Sequence, residues 1–466
     1  MALRSPGRLA PSALQMGAGV VAVGLGGFVF LAIVGNSVST SDKVALTSLY
    51  MIVNLLGPGL FMALEFETNR VVSSGLAARI DPRDGERRAA LLGAALAGAV
   101  VLILLAVSPV LVDRNLGGHV SLLVAVLVGV TTSAAVYFAR GVLAGQRRFD
   151  GYAVTLFVEG MSRLVPCVAV ALAGSDDVAV YGMIFASGTG FAAVAAWPWL
   201  RRPASPLPTP APTEPTLTPT EPPAVEQPSE SRLSVHEGHS LRRIARGVAL
   251  LGVATLLSQV MANLAPLVVN GRMSGDTASE REAVAFGFAF VLTRIPVLLF
   301  APVQAMLLPR LTAAVVRGDL AAVRAHVRLG LLAIAAVGLP GAVGSAVLGP
   351  WVVQTLFGSE IPPSHLVMGL LGLSTVLLTV VQIVQPALVA SGHHHTATVG
   401  WVSGTVALLV LLALPVDPIA AAVIAQLVGP AIVVAVTALG LRAAIGERVA
   451  ATSGGRPLAA RSADLV

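Results

Sequence analysis

The chain has 466 residues, 55% of them hydrophobic and only 12% charged, with a mean hydropathy of +0.84. Water-soluble domains carry about a quarter charged residues, so a surface facing water all round is excluded. The net charge of +6 and isoelectric point near 10.3 would suit a nucleic-acid binder, but the arginines alternate by side between apolar runs instead of gathering in one patch, which argues against nucleic acid.

A bilayer crossing takes about 20 mostly apolar residues. Runs of that kind fall near 17–35, 44–64, 89–112, 120–139, 152–173 and 178–200, and again near 246–270, 283–308, 327–349, 365–390, 397–414 and 418–441. The expected fold is therefore an all-α integral membrane protein of about twelve transmembrane helices. The first run follows Arg4 and Arg8, is longer than the apolar core of a signal peptide, and reads as an uncleaved helix. One set of connections holds Arg70, Arg79, Arg83, Arg87, Arg88, Arg140, Arg147, Arg148, Arg201 and Arg202, with Arg310, Arg317, Arg324 and Arg328 further on. The opposite set holds only Lys43, Arg114, Arg272 and Arg281. Basic loops are retained in the cytoplasm, so a cytoplasmic-membrane location with both termini cytoplasmic is expected.

In the second run, Gly57-Pro58-Gly59 predicts a bend or break, since proline removes a hydrogen bond of the helix. Glu65, Glu67 and Arg70 follow, with Glu67 and Arg70 at the i, i+3 spacing of an ion pair, and with Pro58 they are candidate gate or coupling residues. Arg140 closes the fourth run. In the fifth, Glu159 and Arg163 stand at i, i+4, where opposite charges meet: either a self-neutralised pair, or an arginine facing a cavity beside a proton-exchanging glutamate. Cys167 is the sole cysteine, so no intrachain disulfide can form, and no metal or cofactor site is read. Gly24, Gly26 and Gly27 predict close helix packing.

Residues 201–240 are dense in proline, threonine and glutamate and read as a solvated tether. The expected organisation is a six-helix bundle over 1–200, the tether, a second bundle over 241–445 and a tail over 446–466. The halves echo one another. GPGLFMALEFETNR of the second run resembles IPVLLFAPVQAMLLPR of the eighth, with Phe61 against Phe300, Glu65 against Gln304 and Arg70 against Arg310. Two repeats in the same orientation place a site at their interface near the bilayer midplane. Arg294, inside the eighth run with no acidic residue within a helical turn, is the candidate that stands out, because a lone cation in a bilayer is costly. Its alternatives are grip on a phosphate or carboxylate and an interhelical pair. His393–His395 read as a solvated turn, since three consecutive histidines diverge around a helix.

LLGPGLFMALEFETNR and ARGVLAGQRRFDGYAVTLFVEGMSRLVP resemble the corresponding stretches of the polysaccharide-export branch of the multidrug/oligosaccharidyl-lipid/polysaccharide (MOP) superfamily. That resemblance implies two V-shaped six-helix lobes and the flipping of polyprenyl-pyrophosphate-linked oligosaccharide for envelope or exopolysaccharide synthesis. Arg140, Arg163 and Arg294 would then be the substrate-binding residues, Glu159 would join the coupling group, and a proton or sodium ion would be the coupling partner. The multidrug branch, the major facilitator plan and a transport-inactive envelope scaffold remain as alternatives. The short external loops leave little room for the acidic catalytic groups of a membrane glycosyltransferase, so no enzymatic role is expected.

Overall fold

The computed structural model describes residues 9–78, 81–202, 241–295, 319–390 and 393–453. Among them the chain is helical throughout, with thirteen helices and no strand, and eleven of the helices are long and apolar enough to cross a membrane. The first lobe holds α1 (Leu9–Ser37), α2 (Thr40–Ala77), α3 (Arg83–Ala106), α4 (Ser108–Asn115), α5 (Val120–Gly145), α6 (Phe149–Leu172) and α7 (Val178–Leu200). The second holds α8 (Leu241–Met273), α9 (Thr277–Leu292), α10 (Leu320–Thr355), α11 (His365–Ala390), α12 (His394–Leu412) and α13 (Pro418–Ser453). The expected eighth span is described only as α9 and the turn after it. Pro296, Phe300, Gln304 and Arg310 lie outside the described residues, as do almost all of the tether and the end of the tail.

Two expectations are corrected. The third apolar run is not one helix: α3 ends at Ala106 and α4 restarts at Ser108 with a proline in its first turn, where the missing N–H costs nothing. The break allowed at Pro58 is absent: α2 runs on for 38 residues, with Glu65, Glu67 and Arg70 on the helix as their spacing implies. Its flanking glycines serve packing. A Cβ at Gly57 would lie 3.2 Å from the Ser133 hydroxyl of α5, and one at Gly59 would lie 3.3 Å from Gln259 of α8. Thr255 of α8 donates to the Gly59 carbonyl at 2.7 Å, so a neighbouring hydroxyl supports the turn next to the proline.

The packing repeats between lobes. In each, the first span lies on the fifth, the third on the fourth, and the fourth and fifth on the sixth. Apolar side chains face outward as well as inward; α3 exposes Leu91, Leu102 and Ile103 while burying Gly93 and Ala97. In lipid the outward face gains nothing by being covered, so association falls to close packing of small residues. Gly26 of α1 and Gly160 of α6 meet backbone to backbone: a Cβ at Gly160 would stand 2.5 Å from the Ala22 carbonyl oxygen. Between the lobes the main seam is α2 against α8, running from Ser48 and Asn270, through Gly59 and Thr255, to Glu67 and Gly247.

Candidate functional site

Inside the first lobe, α1, α2, α5, α6 and α7 line a partly open cavity of about 350 Å³. Its lining combines apolar Val20, Val23, Met62, Phe66 and Leu156 with the polar set Glu65, Tyr137, Arg140, Tyr152, Glu159 and Arg163. Glu159 organises the polar set. Its Oε1 takes Arg163 Nη2 at 3.0 Å, one turn along α6, and its Oε2 takes Arg140 Nη2 of α5 at 2.6 Å. All three side chains are almost fully buried. The i, i+4 pair read from the sequence is present, but it is half of an Arg–Glu–Arg triad carrying a net charge of +1.

The guanidiniums are fixed by more than the carboxylate. Arg140 Nε donates to Thr155 Oγ1 at 3.0 Å, and its guanidinium lies 5.8 and 5.9 Å from the ring centres of Tyr137 and Tyr152. Arg163 Nε donates to the Phe185 carbonyl at 3.1 Å while its guanidinium stacks 4.4 Å from the Phe185 ring centre. Phe185 in turn packs against Phe30 and Tyr50, with ring centres 4.8 and 5.1 Å away. Gly188 leaves the room that Arg163 fills, since a Cβ there would be 2.6 Å from its Nε. Such a buried, bonded arrangement presents charge at a fixed point.

Glu65 faces the same cavity. It forms no ion pair among the described residues and accepts the Tyr152 hydroxyl at 2.7 Å. Glu67, two residues on, points elsewhere: it takes Arg70 through two bonds of 2.8 and 2.5 Å, and its carboxylate lies against Gly247 of the second lobe, where a Cβ would come within 2.7 Å. The acidic cluster of the sequence therefore divides into a cavity residue and an inter-lobe residue. Pro58 and Asn54 line the cavity, Asn54 with its amide turned back to the Tyr50 carbonyl.

Arg294 is not among these residues. It follows the end of α9, where Thr293 closes the helix onto Ala289, and its Nη2 donates to Gln426 Oε1 of α13 at 3.2 Å. The Phe290 ring centre lies 4.7 Å from its guanidinium. Gln426 is fully buried and donates to the Met261 carbonyl of α8, so Arg294 belongs to the interior of the second lobe. No carboxylate among the described residues pairs with it. The three arginines expected in one vestibule thus occupy two places, one in each lobe. Gln426 was missed because a single amide in an apolar run carries no signal of its own. No group of metal-ligating side chains is found among the described residues.

The described fold resembles structures solved for MATE transporters. An inward-facing multidrug resistance MATE family transporter of the MOP superfamily superposes with a TM-score of 0.69, covering 93% of this chain and 96% of that one, at 12% identity. The chain has the fold of these transporters. An outward-facing form of a multidrug resistance MATE family transporter gives 0.59 with the same coverage. A MOP superfamily transporter from Pyrococcus furiosus, described as having a binding pocket of reverse polarity, gives 0.57 at 12% identity over 94% of this chain and 97% of that one. No family model matches the chain. An uncharacterized protein of Mycobacterium tuberculosis is 27% identical over 292 residues, 62% of this chain and 59% of its own length. A second from that organism is 25% identical over 309 residues, 66% of this chain and 63% of its own. The match spans less than two thirds of either relative. With its hydropathy and, among the described residues, eleven helices long and apolar enough to cross a membrane, the chain is a multi-pass membrane protein of MATE-like fold.

Proposed function

We propose that the chain is an alternating-access transporter of the cytoplasmic membrane whose cargo is an amphiphile with an anionic head, a polyprenyl-pyrophosphate-linked oligosaccharide being the class that fits the sequence resemblance. The observation that carries this reading is Arg294: a cation in the eighth apolar run of the sequence, held by a neutral amide and an aromatic face, with no carboxylate partner among the described residues. A guanidinium is costly in a bilayer, and a phosphate-bearing cargo offsets that cost by bidentate bonding. Arg140 and Arg163 supply two further guanidiniums in the cavity of the first lobe, beside the carboxylates of Glu159 and Glu65. Rocking of the lobes would carry the head across while the tail stays in lipid. In this reading the basic loops, both termini and the tether are cytoplasmic, and Glu67, Arg70 and Pro58 belong to the moving seam.

The test is transfer of a short-chain polyprenyl-pyrophosphate glycoside by the purified chain in proteoliposomes. Arg294→Ala should lower transfer at least about tenfold, the loss of one charged contact of about 1.5–3 kcal/mol, with insertion and yield unchanged. Transfer at the unmodified rate would remove Arg294 from the mechanism. A second reading, proton- or sodium-coupled efflux of cationic amphiphiles, is favoured by Glu65, a cavity carboxylate held by a tyrosine and by no arginine bond. Gradient-driven dye export by the same vesicles, abolished in Glu65→Gln, would select it.

A further inference from the structure

At the arginine-poor end the lobes touch in a way that the transport reading does not use. α1 ends at Ser37 and α2 begins at Thr40, and both termini meet the segment 356–360 that follows α10 in the second lobe. Gly35 and Gly358 make the closest approach: a Cβ on Gly35 would fall 1.8 Å from the Phe357 carbonyl oxygen, and one on Gly358 would fall 2.3 Å from the Gly35 carbonyl oxygen. Gly358 also has φ +59, a backbone region that favours glycine. Around this contact the second lobe's carbonyls are taken by side chains of the first. Asn36 Nδ2 donates to the Leu356 carbonyl at 2.8 Å, and Lys43 Nζ donates to the Gly358 carbonyl at 2.8 Å. Glu360 accepts from the Thr40 hydroxyl and pairs with Arg281 of α9 at 2.7 Å.

The elements of this contact differ in weight. The Arg281–Glu360 pair is 47% and 41% exposed, so it is screened and weak. Lys43 is buried, and its ammonium closes on a carbonyl that would otherwise lie unsatisfied under the seal. The glycine contact is steric and admits no side chain. We propose that Gly35, Asn36 and Lys43 of the first lobe and the segment 356–360 of the second form a latch that holds the arginine-poor end shut, and that this end opens when the latch parts. The glycine contact and the Asn36 bond tie the last two turns of α1 to the second lobe, while Ser48–Asn270 and Asn115–Leu267 tie α2 and α4 to α8 at the same end. The closer superposition on an inward-facing structure than on an outward-facing one, 0.69 against 0.59, accords with an end closed in this way.

The latch bears on transport only through the function proposed above, but its opening can be read with no cargo present. Spin labels at Val120→Cys in the first lobe and Leu366→Cys in the second, both exposed, report the separation of the lobes at this end in the full chain carrying Cys167→Ala in lipid nanodiscs. The unmodified latch should give one short distance. Lys43→Ala, which deletes a donor, and Gly35→Ala, which inserts a wedge, should each add a longer population, while Lys43→Arg, which can still donate, should keep the short one. Lys43→Ala leaves the glycine packing intact and so decides the matter if Gly35→Ala does not fold. Distances unchanged in Lys43→Ala would overturn the latch, as would a Lys43→Arg distribution as broad as that of alanine. Absence of cargo transfer in the vesicle assay would overturn the transport reading and leave these distances untouched.

Discussion

Glu159 is the residue on which the first lobe's interior charge depends, because two buried guanidiniums share its one carboxylate. Removing one partner of a buried ionic set costs about 3–5 kcal/mol, since it leaves charge uncompensated, whereas removing the whole set can be close to neutral. Glu159→Gln should therefore lower the thermal midpoint in detergent sharply, by more than the triple replacement Arg140→Met, Glu159→Gln, Arg163→Met. A single replacement as stable as the parent would show that the arginines are solvated in the cavity and not held by the carboxylate. Half of this arrangement was legible in the sequence. The i, i+4 spacing of Glu159 and Arg163 is a local signal, readable from helical geometry alone. Arg140 stands 19 residues away on another helix, and nothing short of the α5–α6 packing brings it to the same carboxylate. The partner of Arg294 was unreadable for the same reason, with Gln426 132 residues distant.

At the scale of helices, hydropathy located the spans because apolar length is what the bilayer selects, but it did not find their ends. α2 continues to Ala77 because its polar residues are satisfied where they lie: Glu67 with Arg70 along the helix, and Glu65 with Tyr152 across the cavity. The bend expected at Pro58 fails to break α2 because α5 and α8 hold the turn from both sides. Glycines mark where helices meet most closely, and not all of them do so. A Cβ on Gly160 must displace the backbone of α1, whereas one on Gly98 of α3 meets nothing within 4 Å. Gly160→Ala should destabilise the lobe by about 1–3 kcal/mol, the usual range for overpacking, while Gly98→Ala should match or exceed the parent. Melting both variants in one detergent checks the contrast; equal midpoints would mean that α1 rides on α6 without backbone contact.

For the molecule as a whole, the sequence made the two-lobed plan legible through the recurrence of apolar runs and the echo of one half in the other, but it could not show that the lobes are latched at one end. That latch is made of backbone carbonyls and glycines, which carry no chemical signature in a sequence. Only one of its members titrates as an acid: Glu360, held below the usual carboxylate range by the Thr40 hydroxyl, with Arg281 and Lys43 adding their charges. The group is exposed, so its contribution is modest. A carboxyl whose acidity is raised in the latched state stabilises that state above the ordinary carboxylate pKa and loses the effect as pH falls through its own lowered value. Acidification below the ordinary carboxylate range should therefore enlarge the long-distance population between labels at positions 120 and 366, by less than Lys43→Ala does at neutral pH. Glu360→Gln should bring that acid-induced population to neutral pH and flatten the pH dependence. A Glu360→Gln protein that still opened on acidification would place the sensing group elsewhere.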